Sequence, residues 1–369
     1  DIYAHTNRNK QTFIHADQHI NLNSVKDTHS NTDSASHLHG PPVEYAALLQ
    51  RLSATIEHDD YSRGGVVAKL ETAVAAALGK ETAVWVSTGT LANHLAVRLL
   101  AGDRRRVLVQ HESHLFNDCG DCCKTLSGLH LVPLAPGKAT FTVEDLDREA
   151  GRAESGRVSV PIGAIQIESP VRRKSGENFD FGEMKRVSRW ARERKIGLHL
   201  DGARLFLGAA YSGVSVREYA ALFDTVYISM YKYFNAASGA ILAGPKSLLE
   251  NLFHERRMFG NGLSQVWPFA AIALHYFEGF PARYAQAVAT SEKVIAALAN
   301  DARFEVSRVA NGSNILSLRL KSGDPAAFHR RAVSNGFVLS PPRGDLFQLQ
   351  VNETWARASA DSIIGRLAL

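Results

Sequence analysis

The sequence is short of cysteine, of one-sided charge and of long apolar runs, and each shortage removes a class of function. Its only cysteines, Cys119, Cys122 and Cys123, fall within one short segment. An odd count excludes a disulfide framework, no second pair completes a zinc site, and adjacent Cys122 and Cys123 would bridge only with strain. The three are read as structural, and no metal is expected. The 42 Lys and Arg against 37 Asp and Glu leave a net charge of only +5, and the basic residues are scattered in short groups such as Arg104–Arg106 and Arg172–Lys174. A nucleic-acid partner is not expected from that pattern. No apolar run approaches the roughly 20 residues of a membrane helix, so no membrane partner is expected either. Neither G-x-G-x-x-G nor G-x-x-x-x-G-K occurs, which removes the dinucleotide fingerprint and the Walker loop.

What is present is a chain of 369 residues, 45% hydrophobic, able to bury a large core. The first forty residues differ from the rest in being polar and without sustained periodicity. Their histidines (His5, His15, His19, His29, His37, His39) lack the spacing of a helical ligand pair, and the segment reads as a polar arm. The chain starts at Asp1; cytoplasmic location is the expectation, with removal of an export signal as the alternative.

From Tyr45 the pattern changes. Helical periods through "EYAALLQRL" and "VVAKLETAVAAALG" lead to the strand "AVWVS", and then "RVLVQ", "LHLVPL", "GAIQIES", "IGLHLD", "TVYISM" and "GAILAG" follow as short apolar runs between helical segments. Such a series predicts an α/β fold with a mostly parallel sheet covered on both faces. After the long helix "ARYAQAVATSEKVIAALAND", the runs "FEV", "NILSLRL", "GFVLS" and "LFQLQV" predict a smaller α+β part. The expected division is an arm over 1–43, a large domain over 44–270 and a small one over 271–369.

Three stretches carry chemistry. In "VSTGTLANHLAVRLL" a strand passes through Thr88, Gly89 and Thr90 straight into a helix, which suits either ordinary N-capping or a phosphate held on backbone N–H groups. In "IGLHLDGARLFLGAA", Asp201 and Arg204 follow a buried strand, as an ion pair at a helix start or as a site beyond the strand's carboxyl end. In "DTVYISMYKYFNAASGAILAG", Lys232 follows another strand end, as a loop lysine or a Schiff-base lysine. A phosphate turn, a carboxylate and a lysine at one sheet edge are together what pyridoxal 5′-phosphate requires.

Over residues 59–269 the chain resembles the L-threonine aldolase and β-eliminating lyase family of fold-type I pyridoxal-phosphate enzymes. The resemblance lies in "TGTLANHLAVR", "ESHLFND…TLSGLHLVPL", the "IxxES" strand end, "HLDGARLF" and the lysine loop, all in family order. It implies a seven-stranded sheet sandwiched by helices. It further implies that Thr88, Gly89 and Thr90 hold the phosphate, that His114 stacks on the cofactor ring, and that Asp201 contacts the ring nitrogen. Arg204 is then assigned to the substrate carboxylate, Lys232 to the covalent link, and Glu168 to the same mouth. Arg257, or Arg256 beside it, adds a cation near the phosphate, from a neighbouring subunit as in the family's dimers and tetramers.

The departures cluster around the substrate. Ser169 and Pro170 stand where the family has Asn and Thr, Asp118 where it has Glu, and Tyr231, Tyr233 and Phe234 surround the lysine in place of small residues. The N-terminal Arg-Ser-Asp-Thr stretch is not recognisable, and Ser264 occupies a frequent arginine position. Leu346 stands where a carboxylate-binding arginine is expected, with Arg343 three residues earlier as the candidate replacement. The activity implied is cleavage of the Cα–Cβ bond of a β-hydroxy-α-amino acid to glycine and an aldehyde. The alternatives are β-elimination on another amino acid, and a catalytically idle relative acting as a binding protein.

Overall fold

Strands covered on both faces should be apolar without alternation, and the central strands are. The computed structural model describes Ile20, Asn21 and residues 42–367; the arm's histidines lie outside the described residues. In chain order the strands are β1 (Ile20–Asn21), β2 (Thr82–Val86), β3 (Arg106–Gln110), β4 (His130–Leu134), β5 (Ile162–Glu168), β6 (Gly197–Asp201), β7 (Thr225–Ser229), β8 (Ala240–Gly244), β9 (Phe304–Ser307), β10 (Ile315–Leu320), β11 (Phe337–Val338) and β12 (Leu346–Gln350). Every residue of β5, β7 and β8 is buried.

The seven-stranded sheet has the order β2-β8-β7-β6-β5-β3-β4. All neighbours are parallel except the two pairs that β8 makes, with β7 and with β2. The reason is length: β7 and β8 are joined by the loop 230–239, too short for the crossover of a dozen or more residues that parallel strands need. The helices follow the sequence signals. After α1 (Pro42–Ser53), α2 (Gly65–Leu78) stops at Gly79, whose φ of 67° lets its N–H donate back to the carbonyls of Ala75 and Ala76. The helix Phe181–Glu193 opens on Asp180, which accepts from the Glu183 N–H, and buries Met184, Val187, Trp190 and Ala191 at helical spacing. Between β2 and β3, α3 (Gly89–Ala101) lies across the sheet with Ala92, Leu95 and Ala96 buried.

The C-terminal part is an antiparallel sheet of order β12-β10-β9, packed with the helices Phe280–Asn300, Pro325–Ser334 and Ala360–Leu367. The run "GFVLS" lies outside this sheet. Only Phe337 and Val338 form a strand, paired in parallel with Ile20 and Asn21 of the N-terminal arm. Pro341 and Pro342 follow closely and have no N–H for a ladder. The main hydrophobic cluster runs without a break from Val66 to Leu367, so large and small parts share one core.

Candidate active site

Parallel strands bring their carboxyl ends to one edge, and α3 begins at that same edge. The turn into α3 is fixed from behind. Ser87 N–H donates to Asn261 Oδ1 (2.7 Å), and Ser87 O accepts from Ser238 Oγ (2.8 Å) and Gly239 N–H (3.1 Å). Thr88 Oγ1 accepts from Leu91 N–H at 3.2 Å and caps the helix. The first-turn N–H groups of a helix have no intrahelical acceptor, so those of Gly89 and Thr90 are donors for an anion. Gly89 has a reason that the sequence did not reveal: a Cβ there would overlap the Tyr227 hydroxyl. Thr90 Oγ1 lies 3.7 Å from Cys119 Sγ, which ties the turn to the loop of His114.

Asp201 ends β6 and is 1% exposed. Its Oδ2 accepts from Asn93 Nδ2 at 2.7 Å and its Oδ1 from Ala203 N–H at 3.1 Å. No ion pair joins it to Arg204 among the described residues, so the reading of the two as a structural pair falls away. Arg204 is itself buried, at the start of the helix Leu205–Ser212. Lys232 lies in the loop between β7 and β8. Burial first, and then the neighbouring Arg204 charge, lower its amine to about 7, while Asp201 and Glu168 pull the other way.

Glu168, the last residue of β5, turns both carboxylate oxygens to backbone. Oε2 accepts from His114 N–H (2.6 Å) and Oε1 from Arg172 N–H (2.8 Å). Burial and the Asp201 charge push its carboxyl up, against those two hydrogen bonds. His114 opens a short helix and sits 3.2 Å from Asp118 Oδ2. Burial would lower its imidazole, but hydrogen bonds to Asp118 and Cys119 raise it to about 10. Asp118 in turn accepts from Arg172 (2.6 Å) and Arg173 (2.7 Å). Despite its own burial, these three cationic partners hold its carboxyl far below the usual range.

Lys232, Asp201, Arg204, Glu168 and His114 are thus brought to one edge, together with the turn at Thr88–Thr90. Two predicted residues are held by other contacts. The Arg257 guanidinium lies over the rings of Tyr61 (5.1 Å) and Phe253 (5.5 Å). Its neighbour Arg256 is buried and donates to the carbonyls of Trp85, Tyr61 and Ser62, which gives it a structural task. Arg343 is exposed in the turn before β12, bonded through its backbone N–H to Leu346 O at 2.9 Å.

Three residues of the site escaped sequence reasoning. Asn93 and His199 sit in stretches already quoted, and the signal was a polar residue inside an otherwise apolar face. Arg172 belonged to a short basic group weighed only against nucleic-acid binding, yet it is close enough to Lys232 to bear on its protonation.

Among the described residues no group of three or more His, Cys, Asp or Glu could hold a metal ion. The donor set suits an organic anion with a carbonyl and a basic ring nitrogen. It offers helix N–H groups, a half-buried lysine whose amine is lowered, an acceptor carboxylate, and a buried Ser229 hydroxyl at the end of β7. Pyridoxal 5′-phosphate fits these requirements.

The family described as beta-eliminating lyase matches residues 42–320 of the chain. Among curated proteins, the chain is 27% identical over 227 residues to a low-specificity L-threonine aldolase of Candida albicans, covering 61% of this chain and 60% of that one. It is 30% identical over 232 residues to a Cochliobolus carbonum protein named alanine racemase TOXG, covering 62% and 59%. These matches span about three fifths of the curated relatives' length. Among solved structures, that of a putative L-allo-threonine aldolase from Listeria monocytogenes EGD-E superposes with a TM-score of 0.75 at 26% identity, covering 91% of this chain and 96% of that one.

Proposed function

The chain belongs to the beta-eliminating lyase family, and on that premise we propose that it is a pyridoxal-phosphate-dependent lyase that cleaves the Cα–Cβ bond of β-hydroxy-α-amino acids, giving glycine and an aldehyde. The observation that carries this reading is the buried Lys232 amine, lowered to about 7, sharing one sheet edge with Asp201, Glu168 and Arg204. When bound, the cofactor supplies an electron sink beside Cα that makes a bond at that carbon breakable.

The chain's own residues do the rest. The N–H groups of Gly89 and Thr90, held by the Thr88 cap, bind the phosphate. Asp201 would accept a hydrogen bond from the protonated ring nitrogen. Arg204 binds the substrate carboxylate through its planar fork. Burial lowers the Lys232 amine to about 7, which favours the neutral form more than in an ordinary lysine, so it would hold the cofactor carbonyl and could hold or return a proton at Cα. His114, raised to about 10, would enter as a cation; it would cover the ring and hold the β-oxygen, and the β-hydroxyl proton would leave to a bound water rather than to His114.

The same reading makes the chain a homo-oligomer with residues 44–270 and 271–369 as its large and small domains. Exposed Tyr61, Met258 and Leu263 support an oligomer, since Tyr61 and Leu263 are brought together by hydrogen bonds of the 61–62 backbone and hydroxyl to the 263–264 carbonyls. On this reading Arg257, which lies over Tyr61 beside these residues, serves a neighbouring copy. Three free cysteines support a reducing compartment, the cytoplasm.

The test is a product assay on purified protein with pyridoxal phosphate. L-threonine and L-allo-threonine should yield acetaldehyde and glycine in equal amounts. Formation of a 2-oxo acid and ammonia would replace the proposal by elimination, and D-alanine from L-alanine would replace it by racemisation. Failure to take up the cofactor would make the chain a binding protein.

A further inference from the structure

Behind Asp201 the interior holds polar side chains that the chemistry above does not use. Asn93, His199 and Thr225 have no solvent exposure and come from three elements, α3, β6 and β7. Buried polar groups are tolerated when their hydrogen bonds are complete, so the pairing carries information. The direction of each bond follows from the end that can only accept. Asp201 Oδ2 is that end, and the Asn93 atom 2.7 Å away must be its amide nitrogen. The Asn93 oxygen then faces His199 Nε2 at 2.8 Å, which requires the proton on Nε2. A neutral ring so protonated has a lone pair on Nδ1, and Thr225 Oγ1, 2.9 Å away, donates into it. Burial lowers His199 to about 4 against the pull of Asp201, so the ring is neutral at ordinary pH. Polarity runs one way, from the Thr225 hydroxyl through ring and amide to the carboxylate.

We propose that Asn93 and His199 are positioning residues for the cofactor: the chain from Thr225 fixes the Asn93 amide so that it only donates to Asp201, holding that carboxylate in place as the hydrogen-bond acceptor for the ring N–H. The proposal rests on the pyridoxal-phosphate reading and adds a requirement two side chains removed from the cofactor. A flipped amide would set its oxygen against a carboxylate oxygen, and the carboxylate would turn away from it and from the ring N–H. The tautomer of one buried histidine thereby governs the aim of the acceptor.

The experiment uses holoprotein reconstituted with pyridoxal 5′-phosphate carrying ¹⁵N at the ring nitrogen. Three quantities are read: the ring N–H resonance, the cofactor dissociation constant, and the melting temperature of the cofactor-free protein. His199→Leu removes the Nε2 proton, and the ring N–H resonance should shift or vanish while the dissociation constant rises by about tenfold or more, as for lost outer partners of a binding site. His199→Gln returns an N–H to the Asn93 oxygen and should bring both back to within about threefold of wild type. Thr225→Val, of the same shape, should move the resonance in the same direction by less.

A folded His199→Leu protein with wild-type resonance and affinity overturns the proposal. If that variant does not fold, Thr225→Val decides alone: a shifted resonance supports the chain and an unchanged one overturns it. Wild-type protein that takes up no cofactor would instead sink the underlying reading.

Discussion

At neutral pH the Lys232 amine is deprotonated far more often than an ordinary lysine, because its burial disfavours the charge. The consequence for stability has a definite sign. Between about 7 and the ordinary lysine value of 10.5, the unfolded chain binds a proton that the folded chain does not, so this residue's contribution to stability rises with pH across that window. Lys232→Met removes the buried charge. The cofactor-free variant should be more stable than wild type at pH 6 by about 1 kcal/mol in urea unfolding, with the gain fading towards pH 10. The same variant should lose the borohydride-reducible cofactor link and nearly all turnover. Carboxylate recognition belongs to this scale too. Arg204 is buried at the site while Arg343 is exposed in the turn before β12. Arg204→Lys should raise KM about tenfold or more, the loss of a charge-assisted fork. Arg343→Ala should leave KM within about twofold, as expected of an exposed residue outside the site.

Two elements hold the site's walls. One is the clamp in which Asp118, after the His114 helix, joins the Arg172–Lys174 turn after β5. His114 is raised, so its contribution to stability is complete below the ordinary histidine value of 6.5 and is lost as pH climbs through about 10. Asp118→Asn should lower the His114 pKa, followed by NMR, and destabilise the fold by about 1–2 kcal/mol at pH 7, partial exposure having weakened the pairs. The other element is the lysine loop. Its bulky residues, a departure visible in the sequence, pack Phe234 against Phe206 (5.5 Å), Phe277 (5.1 Å) and Phe280 (4.9 Å). Phe234→Ala should cost about 3 kcal/mol in chemical denaturation and loosen the cofactor.

At this scale most of the fold was legible. Apolar runs without alternation marked β3, β5, β6, β7 and β8, because a strand buried on both faces has nothing polar to alternate with. The pairing of β11 with the arm was not legible, since two-residue strands leave no periodic trace. In the site, Lys232 and Asp201 were found through their places at strand ends. Asn93 was missed because its partners, Asp201 and His199, are 108 and 106 positions away in sequence.

For the whole molecule, the proposed oligomer would bury Tyr61, Met258 and Leu263. These are exposed large apolar side chains beside the cations Arg63 and Arg257. Charge placed there should split an assembly while sparing the shared core. Leu263→Glu should shift the protein to a smaller species in light scattering. If Arg257 serves a neighbour's phosphate, cofactor affinity should fall in the same variant.

The reversal between β7 and β8 has a mechanical consequence. Both feet of the Lys232 loop stand on adjoining rungs of the sheet, with Ser229 opposite Ala240 immediately below them. A segment tethered so closely has almost no lever arm. Sliding of the surrounding helices cannot carry the amine away unless β7 first unzips from β8, and β8 is stitched to β2 along its other side as well. Asp201 stands on β6, the next strand over. The lysine and the carboxylate therefore travel as one plate, and Glu168 at the end of β5 ties the His114 and Arg172 backbones to that plate.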